Sequence, residues 1–154
     1  MPKAIDELLT GEKEAIIHPA ATVVLIRDVK KGIEVLLLRR SSKLKFVGGA
    51  WVFPGGKIDK KDFSEENSSD TETAARNAAV RETQEEAGLV IRPDDLIYFS
   101  HWTTPPESPK RYDTWFFISG VDSGNVVVDG SEMKEHGWFN PEEVLIAQKK
   151  EEIG

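Results

Sequence analysis

Apolar positions along this chain come in bursts separated by polar stretches, and the bursts set out the elements. Ala20–Arg27 (AATVVLIR) and Ile33–Arg39 (IEVLLLR) are runs rich in β-branched and leucine residues. Between them lies the polar turn Asp28-Val29-Lys30-Lys31-Gly32, so the pair predicts a β-hairpin. Their near-continuous apolar character predicts burial on both faces. Ala50–Phe53 predicts a short strand that Pro54-Gly55-Gly56 breaks sharply. Residues 59–70 (DKKDFSEENSSD) read as an exposed polar loop. Leu96–Trp102, Arg111–Ser119 and His136–Phe139 predict further strands, with Pro105, Pro106 and Pro109 parting the first two. Residues 1–18 read as a peripheral segment with a short helical stretch at Ile5–Leu9.

A helix is expected over residues 70–87. Ser69 and Glu72 fit an S-x-x-E capping box ahead of an alanine-rich run, and Gly88 fits the residue that ends the helix. A last helix opens at Asn140-Pro141, with Asn140 as N-cap and Pro141 in the first helical position. Strands, a helix, more strands and a helix predict an α/β (α+β) fold, a mixed β-sheet between helices. The 154 residues suit a single domain.

Charge narrows the partners. Twenty basic residues face 27 acidic ones, a formal charge of −7. Phosphate neutralisation drives binding to long nucleic acids, so neither DNA nor RNA is expected. A small phosphorylated ligand stays open, because a divalent cation can invert the field of an acidic site. The absence of cysteine excludes disulfides, thiolate zinc sites and a cysteine nucleophile. The apolar run Ala20–Ile26 is too short to span a bilayer, and the N-terminus has no basic-then-apolar signal pattern. The expectation is a cytoplasmic protein without membrane contact, and a homodimer is left open.

One helix face works against its own stability. At about 100° per residue, Glu82, Glu85 and Glu86 fall within an arc of about 100°. Carboxylates so placed repel one another, and the nearby helix C-terminus disfavours anions. A cation would compensate, and hard oxygen ligands suit Mg²⁺ or Mn²⁺. Such acidic runs are otherwise common as solvated surface. Upstream, Ala75, Ala78 and Ala79 leave room for close approach by another segment. Pro54-Gly55-Gly56 is the segment expected there, bringing a backbone carbonyl to the metal.

The residues around this face resemble a family motif. Gly56 followed by Arg81-Glu82-Thr83-Gln84-Glu85-Glu86-Ala87-Gly88-Leu89 is similar to the Nudix box, G-x5-E-x7-R-E-U-x-E-E-x-G-U with U aliphatic. Phe53–Asp59 resembles the usual lead-in, and the likeness runs over roughly residues 20–147. Two departures stand out. Thr83 takes an aliphatic position, and Arg81 lies 25 positions after Gly56 where the motif has 14, an insertion of 11 within residues 57–70. Counting forward puts Asp62 at the first acidic position; counting back puts Thr73 there.

The resemblance implies a metal-dependent pyrophosphohydrolase. Glu82, Glu85 and Glu86 would hold Mg²⁺ or Mn²⁺ with the carbonyl of Gly55 or Gly56, and Arg81 would orient a box glutamate. Glu82 or a downstream acid, with Glu132 as candidate, would be the general base, and Glu85 belongs to the same catalytic set. The segment Arg40-Ser41-x-Lys43-Leu44-Lys45…Gly49…Phe53-Pro54-Gly55-Gly56 resembles the lead-in of Nudix coenzyme A diphosphatases. Arg40, Lys43 and Lys45 would then meet a phosphate-rich ligand. Arg111-Tyr112-Asp113-Thr114 and Trp102 are candidates for the substrate pocket, Trp102 by stacking a nucleobase. Trp115 is expected in the core, and His101, a lone histidine at a strand end, has no assigned role. ADP-ribose and dinucleotides are the alternative substrates. A nucleotide sensor without catalysis, or an acidic protein–protein module, is the alternative of another class.

Overall fold

The computed structural model describes residues 16–42, 49–63, 70–121 and 125–144. The two apolar runs form β1 (Ile17–Val29) and β2 (Gly32–Arg40), antiparallel from Val29 opposite Gly32 back to Ile26 opposite Val35. Arg27 and Glu34 face each other across the hairpin and close an ion pair of 2.8 Å. Leu36 and Leu38 belong to the main core while Val35 and Leu37 are also buried, so this stretch of β2 is covered on both faces as its composition predicts.

Beyond the hairpin the two strands part company, and short strands fill the gap. β2 pairs through Leu38 and Arg39 with β3 (Trp51–Val52). β1 pairs through Ala20, Ala21 and Thr22 with β4 (Gly55–Lys57). The expected break after Ala50–Phe53 falls at Phe53-Pro54, and the two glycines then open a strand of their own. Their missing side chains are what let it sit there, since a Cβ on Gly55 would run into the Ala21 carbonyl oxygen.

The rest of the sheet is built on β1 and β2. β6 (Arg111–Gly120) runs parallel to β1, and β5 (Ile97–Thr103) pairs antiparallel with β6 at the edge. β7 (Met133–Phe139) pairs antiparallel with the free side of β2. The result is a seven-stranded mixed sheet of order β3-β2-β1-β6-β5, with β4 on β1 and β7 on β2.

Helix α1 (Thr71–Ala87) covers one face. Its inward stripe is Ala74, Ala75, Ala78, Ala79 and Ala87, all fully buried against Ala21, Val23, Leu25 and Phe117. Methyl-sized contacts bring the helix backbone close to the sheet, which places the carboxylates of its last turns near β4. The N-cap is Asp70, which accepts from the Thr73 amide at 3.1 Å. The expected box from Ser69 to Glu72 is therefore corrected by one position, and Ser69 itself lies outside the described residues. Thr73 donates its hydroxyl to Asp70 at 2.6 Å, so it belongs to the cap. Gly88 ends the helix in the left-handed region (φ 68°), as expected.

The polar loop is also corrected in part. Lys60–Asp62 forms a 3-10 turn, and Asp62 is only 4% exposed. A second such turn spans Pro93–Asp95. Residues 141–144 are helical, and Asn140 Oδ1 accepts from the Glu142 amide at 2.8 Å, the cap the sequence predicts. The stretch Ile5–Leu9 lies outside the described residues. Among the described residues, no helix is long and apolar enough to cross a membrane.

Candidate active site

A cavity of about 890 Å³ runs from the last turns of α1 onto the sheet. Strand alternation explains its floor. Ala21, Val23 and Phe117 point to the helix, so Ala20, Thr22 and Phe116 point the other way and line the cavity with Thr114. One end is acidic and holds Glu82, Glu86 and Glu132. The other is aromatic and holds Trp102 and Tyr112.

The acidic end is assembled by β4 pressing on α1. The Gly55 amide donates to Glu86 Oε1 at 3.0 Å. At Gly56, a Cβ would stand 2.7 Å from the Glu82 carboxyl carbon. Both glycines are therefore needed for the helix carboxylates to come this close to the strand. The alanine stripe packs on the core, and the glycines pack one to two turns further on, against the glutamates.

Burial governs the charges there. Glu86 is 3% exposed, and desolvation pushes its carboxyl up to about 8, opposed by the Gly55 amide and reinforced by Glu82 and Glu132. Glu82 is also raised, by burial first, with Arg81 pulling the other way. A buried and a half-buried carboxyl that both resist ionisation, beside a third acid, form a set that a divalent cation would stabilise. The donor set therefore fits a hard cation. No three acidic or histidine side chains among the described residues converge at ligating distance. Arg81 contacts two of these carboxylates. Its Nη1 draws Glu82 Oε1 to 2.6 Å and Glu85 Oε2 to 3.3 Å. Glu85 is 53% exposed against 17% for Glu82, and it is not a wall of the cavity.

Arg81 is itself fixed by Asp62. Its Nε and Nη2 donate to the two carboxylate oxygens of Asp62, each at 2.9 Å, and Nη2 also reaches the Lys57 carbonyl at 3.1 Å. This hydrogen-bonded pairing with Asp62 is the first cause of a guanidinium pKa raised above its ordinary value. Asn77, one turn earlier, donates to the Asp62 carbonyl at 2.8 Å. Of the two candidates for the first acidic position, the forward count is the one that meets Arg81.

Arg40 reaches the cavity because the pairing of β2 with β7 slips between Arg39 and Arg40, a bulge that re-aims the side chain. The Ser41 amide donates to the Glu132 carbonyl at 2.7 Å, which brings Glu132 to the same end. Arg40 Nε is buried without a hydrogen-bond partner among the described residues. Lys43 and Lys45 lie outside those residues.

At the aromatic end, Trp102 lines the cavity and is 55% exposed. Arg111 does not line the cavity: its Nε donates to the Thr104 carbonyl at 3.2 Å, and its neighbours Lys110 and Tyr112 line it. Thr114 lines it, as expected, whereas Asp113 binds His101 Nε2 at 2.6 Å outside it. Trp115 packs on the core, as expected. Sequence reading missed Lys57, which lines the cavity from β4. Reading Gly55–Lys57 as a strand would have exposed it. It also missed the preference for Tyr112 over Arg111, which follows from alternation with Thr114 and Phe116.

Comparison with known proteins adds a consistent background. The family model described as NUDIX domain matches residues 17–154. A Caenorhabditis elegans protein provisionally named nudix hydrolase 7 is 29% identical over 162 aligned positions, covering 82% of this chain and 52% of its own. The chain thus spans about half the length of that relative. The acyl-coenzyme A diphosphatase NUDT19 of Xenopus laevis is 61% identical over 31 residues, 20% of this chain and 8% of its own. The crystal structure of a NUDIX hydrolase from Alicyclobacillus acidocaldarius superposes with a TM-score of 0.79 at 26% identity, covering 91% of this chain and 86% of that one.

Proposed function

The chain belongs to the Nudix family, and on that premise we propose that it hydrolyses the pyrophosphate bond of a nucleoside diphosphate derivative with a divalent cation. The observation that carries this reading is the pair of carboxyls, buried Glu86 and half-buried Glu82, held against β4 with Glu132 and Arg40 at the same end of the cavity.

Glu82, Glu85 and Glu86 would hold Mg²⁺ or Mn²⁺, with a carbonyl of Gly55 or Gly56. When bound, the cation supplies charge neutralisation for the phosphate oxygens and acidity for the attacking water. Arg40 presents a guanidinium whose buried Nε suits a phosphate oxygen. Glu132, exposed at the cavity edge, accepts the proton of the attacking water. Arg81 keeps Glu82 in place and does not line the cavity.

Coenzyme A or an acyl-coenzyme A is the substrate we favour. The Arg40–Gly56 segment and the short, strongly similar match to an acyl-coenzyme A diphosphatase support it. ADP-ribose and dinucleotides are the competing substrates. The test is product release from coenzyme A, acetyl-coenzyme A, ADP-ribose, NADH and diadenosine polyphosphates, with Mg²⁺ or with EDTA. Metal-dependent cleavage yielding adenosine 3′,5′-bisphosphate supports the coenzyme A reading. Cleavage of another member only would replace the substrate and keep the chemistry. A nucleotide that raises the melting temperature without turnover of any member would put a sensor in its place.

A further inference from the structure

The acidic end of the cavity accounts for the scissile diphosphate and leaves the aromatic end unexplained. Strand register fixes the distance between them. Lys57 on β4 stands opposite Ala20, Ala20 beside Thr114, and Thr114 beside Trp102. Three strand spacings of about 4.8 Å put Trp102 roughly 14 Å from Lys57, next to the two glycines of β4 that pack on Glu82 and Glu86. A group gripped at Trp102 is therefore separated from the cleaved bond by something of the length of a ribose and its phosphates.

The wall at that end is built in advance. The segment joining β5 to β6 contains Pro105, Pro106 and Pro109. Its ends are tied together by Thr104 and Tyr112. The Thr104 amide donates to the Tyr112 carbonyl at 2.9 Å, and the Tyr112 amide donates to Thr104 Oγ1 at 2.9 Å. Arg111 adds its bond to the Thr104 carbonyl, and the Ser108 amide closes a turn on Pro105 at 3.1 Å. A wall so stiffened loses little conformational entropy on binding. It presents Trp102, Tyr112 and Lys110 to the cavity.

Resting on the pyrophosphohydrolase reading, we propose that this wall is the subsite for the nucleoside half of the substrate: Trp102 stacks the base, and Lys110 selects nucleosides carrying an additional phosphate on the ribose. The exposed indole supplies a sequence-tolerant stacking surface. Lys110 stands in the same wall as Trp102 and lines the cavity there. What it can reach is a negative charge on the nucleoside itself.

The test compares coenzyme A with dephospho-coenzyme A, which differ only in that phosphate. Trp102→Ala is expected to raise KM for both by roughly 5- to 100-fold with kcat within about twofold, and Trp102→Phe to retain most of the affinity. Lys110→Ala is expected to raise KM for coenzyme A by roughly 3- to 10-fold and to leave dephospho-coenzyme A within about twofold, with Lys110→Arg restoring the preference. Calorimetry of the metal-free protein with adenosine 3′,5′-bisphosphate and with AMP gives the same comparison without turnover. If the wild type hydrolyses nothing yet prefers the bisphosphate through Lys110, the catalytic reading fails and this subsite stands. Unchanged affinity in Trp102→Ala, or equal weakening of both ligands by Lys110→Ala, overturns the subsite while leaving the catalytic reading intact.

Discussion

Asp62 and Arg81 meet in a two-point carboxylate–guanidinium contact, Nε to Oδ1 and Nη2 to Oδ2 at 2.9 Å each, across an insertion that separates them by 19 positions. Asp62 is nearly inaccessible and Arg81 is 18% exposed at its side chain. Removing the aspartate leaves a largely buried guanidinium with weaker partners. Asp62→Ala is expected to lower stability by about 2–3 kcal/mol and to depress turnover by loosening Glu82. Thermal unfolding and steady-state kinetics check both, and wild-type kcat in a folded Asp62→Ala protein would show that Arg81 does not depend on this contact.

The close approach of β4 to α1 has its own consequence. A methyl group at Gly56 would take the space of the Glu82 carboxyl. Gly56→Ala is expected to fold with a modest loss of stability, because the group in its way is the end of a side chain. Displacing that carboxylate by about 1 Å should cost roughly 100-fold in kcat. Comparing Tm with kcat in this variant separates the two effects.

Glu86 ties stability to pH. Its carboxyl lies at about 8 in the folded protein against an ordinary value of 4.5, so between those limits the folded chain holds a proton that the unfolded chain has lost. The stability this provides is complete below about pH 4.5 and is lost as pH rises through about 8. In EDTA, Glu86→Gln is expected to match the wild type near pH 4 and to melt several degrees higher at alkaline pH. Parallel melting curves for the two proteins across this range would contradict the assignment. Added Mg²⁺ should raise the wild-type Tm at pH 8 and have little effect on the variant.

Thr83 is fully buried, and its hydroxyl has no hydrogen-bond partner among the described residues. It occupies the position where the family motif carries an aliphatic side chain. Thr83→Val keeps the shape and removes the unsatisfied group, so a gain of about 1 kcal/mol with unchanged kinetics is expected. Chemical denaturation measures it.

Calcium distinguishes a tight hexacoordinate site from a loose one. Calcium takes more ligands at longer distances than magnesium, so it is expected to occupy the carboxylates and inhibit. A titration of calcium into the Mg²⁺-supported reaction reads this directly. Full turnover with calcium alone would count against the proposed site.

The sequence by itself determined the hairpin, the helix, its C-terminal glycine and the acidic face. Each of these depends on neighbours in the chain: apolar, β-branched runs around a polar turn, alanine propensity, a left-handed glycine, and spacing near 3.6 residues. It also brought Arg40, Trp102 and Glu132 forward as candidates, and all three line the cavity. What only the tertiary structure decided is pairing over distance. Local signals made Pro54-Gly55-Gly56 a break, yet Ala20–Thr22 supplies the hydrogen bonds that make Gly55–Lys57 a strand. Counting along an insertion could not choose between Asp62 and Thr73, because loop length does not fix where a loop returns. The choice falls to Asp62 through the geometry of Arg81. Arg111 and Tyr112 are equally polar-tipped in sequence, but strand alternation sends one to the cavity and the other to the Thr104 carbonyl. Glu82, Glu85 and Glu86 look equivalent on a helical wheel. Burial against β4 sets Glu82 and Glu86 apart from Glu85, because desolvation is a property of what packs around a carboxylate and not of where it stands in the chain.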